Sequence, residues 1–471
     1  MAAVDARASA AEGVRCRAPA SGSSGASGYL LNSRSELARI AREAADRALR
    51  AGAAQVIASA SETAGIAMRA RGGAFDSAVR EGAQTLSVKV FDRGRTATAT
   101  SSALTSEAIG LAVERALAIA REVEPDPYAS APEPKWLATT GAEVEMFDPS
   151  GLTPEDLGRA ALEVEAAVAG RGSKVRADQA IASSTDGCFA LAIGRDFDRS
   201  LLASRHDISC RAIAEGEGQM AQDWWSTSDR RTSRLVAPAL VGATAADRAI
   251  RKLGARTLET RSCPVLLDSV IASTMVQEVA AALSGRAQFQ KASFLAGGIG
   301  SLALADHLDL FEDPLEPFGL ASGAYDSEGV GGLPRHIVRD GIIEGYFLSC
   351  LYARKLGLTS TGNADGIRNL RLTSRLPQQG LRDLLRQMDR GLWVTELIGG
   401  AVDPVSGAYS KAAAGFWVEG GEVAFPVQDI TIAGGLPEML RRIVAVGSDV
   451  HRREAVRTGS ILIESMRISG R

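Results

Sequence analysis

The sequence predicts an α+β protein with two folded domains. Its N-terminal part shows the order helix, several strands, helix, which is typical of an α/β-layer domain with an antiparallel or mixed sheet covered on one face. Its C-terminal part is rich in glycine and short strands, which favours a barrel-like β domain with a few helices. We place the two domains at residues 29–235 and 236–471, after a disordered N-terminal extension at 1–28.

The composition is typical of a soluble globular protein. At 471 residues, of which 45% are hydrophobic, the chain can bury a core in two or three domains. Lys and Arg number 53 against 56 Asp and Glu, so we expect no nucleic-acid partner and no membrane surface as partner. No apolar run approaches the roughly 20 residues that cross a bilayer. The five cysteines are scattered without a CxxC pair, which favours a reducing, cytoplasmic location.

The first domain begins with a predicted helix at residues 35–51, where apolar residues recur on one side. Two strand-like runs and the turn of a hairpin follow. These runs and the turn are 54–62, 64–72 and 92–94 (DRG). Thr105 then caps a helix that we expect to end near residue 122.

A proline-rich stretch at residues 124–142 separates these elements from the next ones, and we interpret it as a linker or a long surface crossing. The following helix has a clear start signal. Thr153 is its predicted cap, Pro154 stands at the first helical position, and Asp156 completes a capping box. We expect this helix to end near residue 170.

Strand-like texture then occupies residues 174–225, and Asp186-Gly187 predicts a hairpin turn within it. We place the change of domain near Leu235. A further helix is predicted at 243–252.

The stretch 268–285 predicts the central helix of the second domain. Its apolar residues recur at spacings of three and four, as in an amphipathic helix packed on a core. Asp268 or Ser269 caps its start and Gly285 ends it. The other helices predicted in this domain are 352–356, 381–390 and 436–446.

Two familiar sites are not supported by the residue spacing. The four histidines are not paired at the spacing of a zinc-binding helix such as HExxH. Residues 298–303 match GxGxxA, but no convincing helix and no βαβ frame follow them. We interpret that segment as a glycine loop rather than a dinucleotide site.

Two loop segments carry candidate chemistry. YDSEGVGG places Asp326 and Glu328 on one turn, where the carboxylates can bind a cation, perform acid–base catalysis or accept backbone N–H bonds. Composition favours the last of these three roles. The segment TSTGN, 359–363, offers three hydroxyl groups and an amide, but neither an adjacent base nor a GxSxG motif. We therefore expect it to hydrogen-bond loop backbone or the backbone of another chain.

Five longer strings are more specific: YDSEGV, ARKLGLTSTGNADGIRNL, GLWVTELIGG, AAAGFWVEGGEVAFPVQDITIAGGL and ILIESMRISG. Together they closely resemble the TldD/PmbA family and, within it, the PmbA branch, also called TldE. The resemblance is detailed from about Pro264 to the C-terminus. The order of elements is compatible with the family back to about Leu37.

This resemblance implies an N-terminal α+β domain, a C-terminal barrel-like domain, and a heterodimer of TldD and TldE around an enclosed cavity. The assembly it implies is a zinc metallopeptidase that cleaves unfolded or precursor peptides. In the TldD partner, a HExxxH motif lies on the helix that corresponds to residues 268–285. A cysteine near the C-terminus of that partner is a further ligand.

The positions that match this motif are Gln277, Glu278 and Ala282, so the carboxylate is present and both imidazoles are missing. Residues 446–471 contain no cysteine. Glutamine is a poor zinc ligand and alanine is none. We therefore expect this chain to bind no metal or other cofactor, with zinc held by the TldD-like partner subunit. Glu278 is then a hydrogen-bonding residue rather than a catalytic base.

The predicted function is that of a TldE-like subunit, inactive alone, which closes the chamber and pairs a strand with an extended peptide substrate. No residue of this chain is assigned a catalytic role. The residues predicted to contact the substrate or the partner are Asp326, Glu328, Ser360, Thr361, Gly362, Asn363 and Gly415.

Two alternatives stay open. The chain can be a self-sufficient, metal-free hydrolase that uses Asp326, Glu328 and His336. It can also be a non-enzymatic peptide-binding scaffold, in line with the family's older label, modulator of DNA gyrase. The near-neutral charge argues against direct DNA binding in that role.

Overall fold

The computed structural model describes residues 28–139, 143–216, 218–451 and 453–470. The predicted disordered extension at 1–28 lies outside these ranges except for Gly28. A curled sheet covered by helices forms the first half of the fold, and a closed barrel lies in the second half, so the predicted α+β class is confirmed. Within the described ranges, no helix has the length and apolar character needed to cross a bilayer.

The N-terminal layer consists of two units, each made of a helix, three antiparallel strands and a second helix. The first unit comprises α1 Arg34–Arg50, β1 Gln55–Arg71, β2 Ala74–Asp92, β3 Arg95–Ser101 and α2 Ser106–Glu122. The second comprises α3 Pro154–Ala169, β4 Val175–Ile193, β5 Phe197–Gly216, β6 Gln219–Asp229 and α4 Pro238–Arg251. Antiparallel pairing of β1 with β4 joins the units into one sheet with the order β3-β2-β1-β4-β5-β6.

The helices of this layer begin at the residues whose side chains can cap them. Ser33 forms a capping box at the start of α1, and Thr153 forms one at the start of α3. Thr105 caps α2 by accepting a backbone N–H bond, as predicted. Helix α4 begins earlier than predicted, at Pro238, whose fixed φ suits the first helical turn. It packs with α3 on the first sheet, while the domain boundary near Leu235 stays a prediction.

The strands of this layer are longer than the sequence predicts. The runs at 54–62 and 64–72 belong to one strand, β1. The predicted turn at 92–94 is confirmed, because Arg93 and Gly94 both have positive φ angles and join β2 to β3.

The predicted hairpin turn at Asp186-Gly187 is wrong, since both residues lie inside β4. Asp186 is opposite Ala64 of β1 and Ser204 of β5, so the sheet continues on both sides of it. Its buried carboxylate lies within electrostatic range of Tyr29, a residue distant in sequence. An Asp-Gly pair marks a turn only where its polar groups face solvent, and here long-range pairing overrides that signal.

The strands of the C-terminal half form a barrel and a separate sheet. They are β7 Arg261–Leu267, β8 Leu308–Glu312, β9 Arg335–Arg339, β10 Ile342–Ile343, β11 Leu370–Ser374, β12 Gly391–Val402, β13 Ala408–Glu419, β14 Glu422–Gly435, β15 Ile443–Val446, β16 Val456–Arg457 and β17 Ile461–Ser469. Strands β14, β13, β12, β7 and β17 close into the barrel because β14 pairs with both β13 and β17. Strand β15 lies beside β17, and the other sheet has the order β10-β9-β8-β11-β16.

The central helix of this half is α5, Ser269–Ala282, close to its predicted bounds. Its buried face joins one apolar core that also contains Leu310 of the separate sheet and Val394 of the barrel. Gly285 begins a further helix rather than only ending α5, because Ser284 caps that new helix. The remaining helices are α6 Gly285–Gln290, α7 Cys350–Leu356, α8 Leu381–Met388 and α9 Leu436–Arg441.

The predicted helix at 436–446 is wrong in its second part, which is strand β15. Ile443 of this strand is paired with Ile463 of β17. The barrel therefore supplies the backbone partners that a continued helix would have supplied within itself.

Candidate functional site

Helix α5 is fixed at its start and along one face. The Asp268 side chain accepts the Val270 N–H at 3.1 Å, and the Ser269 N–H donates to the Ser460 hydroxyl at 3.1 Å. Met275 and Val279 are buried in the core below the helix. This arrangement leaves the opposite face of α5 free to present polar side chains.

The same helix carries the three positions predicted to match the metal motif, and they do not share one face. Gln277 is exposed and Glu278 is half-buried, whereas Ala282 is buried in the same core as Met275 and Val279 and has no donor atom. Glu278 lies near Tyr409 of β13: burial raises the pKa of this tyrosine, and the Glu278 charge raises it further. Zinc needs several imidazole, thiolate or carboxylate donors, so this set of side chains does not fit a zinc ion. Among the described residues, no three His, Cys, Asp or Glu side chains converge on such a point.

The loop residue Asp326 is placed very differently, with only 1% of its surface exposed. Its Oδ1 accepts the N–H groups of Glu328 and Val330 at 2.9 and 3.0 Å, and its Oδ2 accepts that of Ala364 at 2.9 Å. Burial raises the pKa of Asp326 to about 6, while the backbone donors act in the opposite direction. The carboxylate thus joins the YDSEG turn to the loop after TSTGN.

The second carboxylate of this turn connects three parts of the molecule. Glu328 Oε2 accepts the Cys350 N–H, at the start of α7, at 2.8 Å. Its Oε1 lies 3.6 Å from Lys89 Nζ of β2, which ties the loop to the N-terminal layer. Burial raises the pKa of the Cys350 thiol, and Glu328 adds to the effect, so this cysteine is no ready nucleophile.

The TSTGN segment bonds mainly to backbone, as predicted. The Ser360 hydroxyl donates to the Leu348 carbonyl at 3.2 Å. Thr361 Oγ1 accepts the Leu348 N–H at 2.8 Å and donates to Asn363 Oδ1 at 2.7 Å. Gly362 has a φ of +74°, and a Cβ there would lie 2.9 Å from the Gly332 nitrogen, so a side chain does not fit.

Asn363 leads to an ion pair between buried Glu312 and half-buried Arg335, which the sequence does not reveal. Its Nδ2 donates to Glu312 Oε1 at 2.7 Å, and Arg335 Nη2 lies 3.0 Å from Glu312 Oε2. Burial raises the pKa of Glu312 and lowers that of Arg335, and each partner opposes the shift of the other. Neither residue forms a motif with its sequence neighbours, so only the fold reveals the pair. We call Glu312, Asp326, Glu328, Arg335 and Asn363 the loop cluster.

Gly415, the last predicted contact residue, lies in barrel strand β13 opposite Val394. A Cβ at this position would lie 2.0 Å from the Trp393 carbonyl oxygen, so glycine is required by the close approach of the two strands. The fold therefore brings the other predicted contact residues into one region and places Gly415 in the barrel wall.

The placement of His336, Asp326 and Glu328 does not support the metal-free hydrolase. Its proposed base, His336, accepts a hydrogen bond from Arg339 at 2.9 Å and packs against the Phe311 ring. Asp326 and Glu328 meanwhile accept backbone N–H bonds. A nucleophile and base need mutual hydrogen-bond contact, which these three side chains do not show.

Family profiles match nearly the whole described chain. Three family profiles cover the chain in order, described as PmbA/TldA metallopeptidase domain 1, central domain and C-terminal domain. They match residues 57–120, 147–253 and 260–470.

Individual relatives agree with these profiles. Metalloprotease PmbA of Escherichia coli O157:H7 is 36% identical over 419 residues, covering 87% of this chain and 91% of the relative. The PmbA homolog of Haemophilus influenzae is 34% identical over 442 residues, covering 92% and 96%. The crystal structure of TldE from Thermococcus kodakarensis has a TM-score of 0.80 at 17% identity, covering 91% of this chain and 100% of that one. At this identity the structural likeness concerns the fold.

Proposed function

This chain belongs to the PmbA/TldD metallopeptidase family, and from that premise we propose that it is the metal-free, TldE-like subunit of a zinc metallopeptidase complex. In this proposal a TldD-like partner with a HExxxH motif holds the zinc ion and its hydrolytic water. The present chain closes the peptide chamber and holds an extended peptide by strand pairing. A cytoplasmic location is part of the same proposal.

The residues of α5 are the observation that best supports placing the zinc ion in the partner. In this chain, Gln277 and Ala282 stand at the two positions where the family's metal motif has its histidines. Ala282 has no donor atom. Glu278 remains, but a carboxylate acts as a general base in such an enzyme only beside a metal-bound water. We therefore assign cleavage to the partner.

The loop cluster supports a role in shaping the chamber. Its carboxylates already accept hydrogen bonds from the loops, so we assign contact with the peptide or the partner to the outer surface of the same loops. Leu333, with 71% of its surface exposed, and the exposed Leu358 lie on segments next to the cluster. Such apolar side chains suit an unfolded peptide, whose own apolar groups are accessible.

Co-expression with a HExxxH-bearing homologue tests the proposal. A tagged form of this chain is expected to co-purify with the homologue, and an unfolded protein such as reduced casein is expected to be cleaved only when both chains are present. The control replaces the HExxxH glutamate of the homologue by glutamine, which should abolish cleavage while keeping co-purification.

Two results would contradict the proposal. Cleavage by this chain alone would support a self-sufficient hydrolase, and its loss in a folded Asp326→Asn variant but not in Gln277→Ala would place it at Asp326. Stable co-purification without any gain in cleavage would instead support a peptide-binding scaffold.

A further inference from the structure

The N-terminal layer and the C-terminal half are joined by a single stretch of chain, residues 252–260 between α4 and β7. Leu253 packs on the core of the second unit, whereas the Arg256 N–H donates to the backbone of β14 at 3.0 Å. Only Gly254 and Ala255 lie between these two anchors, and we call them the pivot. Gly254 has a φ of +75°, and a few loop residues that absorb changes of backbone angle are typical of hinges.

The opposite end of the first sheet is held by α7. The chain after α2 lies at that end, and β2 is roughly 20 Å from β6 along the sheet at the usual strand spacing. The Arg354 guanidinium donates to three backbone carbonyls within residues 128–131, at 3.2, 2.9 and 2.6 Å. Lys355 Nζ lies 2.6 Å from Asp126 Oδ2. We call Arg354, Lys355 and Asp126 the clasp.

The clasp joins the first unit to the C-terminal half. The Asp126 N–H donates to the Gly94 carbonyl, in the turn between β2 and β3, at 2.7 Å. The Ala131 N–H donates to the Gln55 side chain, at the start of β1, at 2.9 Å. On the other side, Ala353 of α7 is buried in the C-terminal core. The clasp therefore acts at the end of the sheet that is farthest from the pivot.

Further contacts between the two halves lie between the pivot and the clasp. Arg230 donates to the carbonyls of Gly319 and Leu320 at 2.8 and 2.9 Å. The rings of Phe197 and Tyr325 pack edge-on with centroids 5.6 Å apart. A rotation about the pivot must break these contacts together with the clasp. We therefore expect an open state to be a minor population of the wild type.

We propose that the N-terminal layer opens and closes on the C-terminal half by rotation about the pivot, and that the clasp holds it closed. A rotation about one end of the sheet moves the other end most, so a few charge-assisted hydrogen bonds at the far end control the opening. The inference goes beyond the proposed function, because it needs neither zinc nor a partner chain. Opening also separates Lys89 from Glu328 and gives access to the loops assigned to the peptide; this consequence alone rests on the proposed function.

Pulsed electron double resonance on the full chain measures this movement. Nitroxide labels are attached to Glu114→Cys on α2 and Glu422→Cys on β14, both exposed positions, in a Cys16→Ser background. The four cysteines that the structure describes are buried. A second labelled pair, Asp247→Cys with Glu422→Cys, reports on α4 beside the pivot. With the clasp intact, each pair should give one main distance.

Two variants open the clasp. Arg354→Met removes three hydrogen bonds and keeps a long aliphatic side chain. The population at longer α2–β14 distances should rise at least about tenfold, because hydrogen bonds to a charged group are lost. The α4–β14 distance should change less, since α4 ends next to the pivot. Asp126→Asn removes only the charge that pairs with Lys355, should act in the same direction, and serves if Arg354→Met folds poorly.

Arg390→Met is the matched control, because Arg390 lies over the Trp417 ring and pairs with Glu419 within the C-terminal half. It should leave both distances as in the wild type. Distance distributions of Arg354→Met and Asp126→Asn that equal those of the wild type would overturn the proposal. So would equal lengthening of both distances, because the layer would then detach rather than rotate. The measurement uses the isolated chain without cleavage, so its failure is distinguishable from a failure of the proposed function.

Discussion

The exposed face of α5 and the loop cluster both contain carboxylates, but the surrounding structure uses them in opposite ways. On α5, Gln277 is exposed and Glu278 is half-buried, beside a position where Ala282 offers no ligand. In the loop cluster, Asp326 and Glu312 are 1% exposed, and both oxygens of each accept hydrogen bonds. The difference teaches that α5 keeps its helix and its packed face although no set of metal ligands converges among the described residues. The loop carboxylates, in contrast, accept hydrogen bonds from loop backbone and from Arg335.

The largest effect is expected for Asp326→Ala. This change leaves three backbone N–H groups without their acceptor in a buried place, which should lower the free energy of unfolding by about 5 kcal/mol. Urea denaturation followed by circular dichroism measures it. Asp365→Ala is the control, since this exposed carboxylate accepts one backbone N–H group and pairs with Arg368, and it should cost about 1 kcal/mol. Similar losses of unfolding free energy for Asp326→Ala and Asp365→Ala would contradict a special structural role of the buried Asp326 carboxylate.

Glu312→Gln is expected to have the next largest effect. It removes the charge partner of half-buried Arg335, which should cost about 3 kcal/mol in urea denaturation. Glu344→Gln is the matched control, because Glu344 pairs with Arg339 on the surface, and it should cost less than about 1 kcal/mol. Adding Arg335→Met to Glu312→Gln should recover part of the loss. A fully additive double variant would argue against the ion pair as the cause.

The pH dependence of stability tests the state of Asp326. Burial raises its folded-state pKa from the ordinary 3.8 to about 6. A raised carboxylate pKa means that the folded state binds the proton more tightly, so this stabilising contribution is complete below about pH 4. It is lost as the pH rises through about 6. Compared with Asp326→Asn, the wild type should therefore gain about 1 kcal/mol between pH 7 and pH 5. If the difference in unfolding free energy between wild type and Asp326→Asn stayed constant, or if the wild type became relatively less stable at pH 5, the pKa of Asp326 would not be raised.

The smallest effect is expected at the motif position itself. Gln277→Ala should change the free energy of unfolding by less than about 0.5 kcal/mol, because the side chain is exposed on the helix surface. Met275→Ala, on the buried face of the same helix, should cost about 2–5 kcal/mol. A large cost for Gln277→Ala would show that this face of α5 contributes to the stability of the fold.

The sequence predicts local features of this fold well, because their causes are local. The caps at Ser33, Thr105 and Thr153 mark helix starts that depend on residues within one turn. The apolar spacing of 268–285 likewise defines α5.

What the sequence does not predict depends on distant partners. Asp186-Gly187 has the chemistry of a turn, yet it lies in β4 between two long strands. Glu312 and Arg335 are separated by 23 residues and meet only after β8 and β9 pair. For Asp326, the residue type is compatible with both catalysis and backbone bonding. The fold decides between them, because it brings the Ala364 N–H within hydrogen-bond distance of the carboxylate.

The zinc content of the purified chain tests most directly whether this chain is a metal-free subunit. The chain should be isolated without chelators, both alone and with its TldD-like partner, and its metal measured by inductively coupled plasma mass spectrometry. We expect no stoichiometric zinc in the isolated chain and one zinc per heterodimer in the complex. One tightly held zinc per isolated chain would contradict it, because Gln277, Glu278 and Ala282 would then not be the metal-free counterpart of the partner's motif.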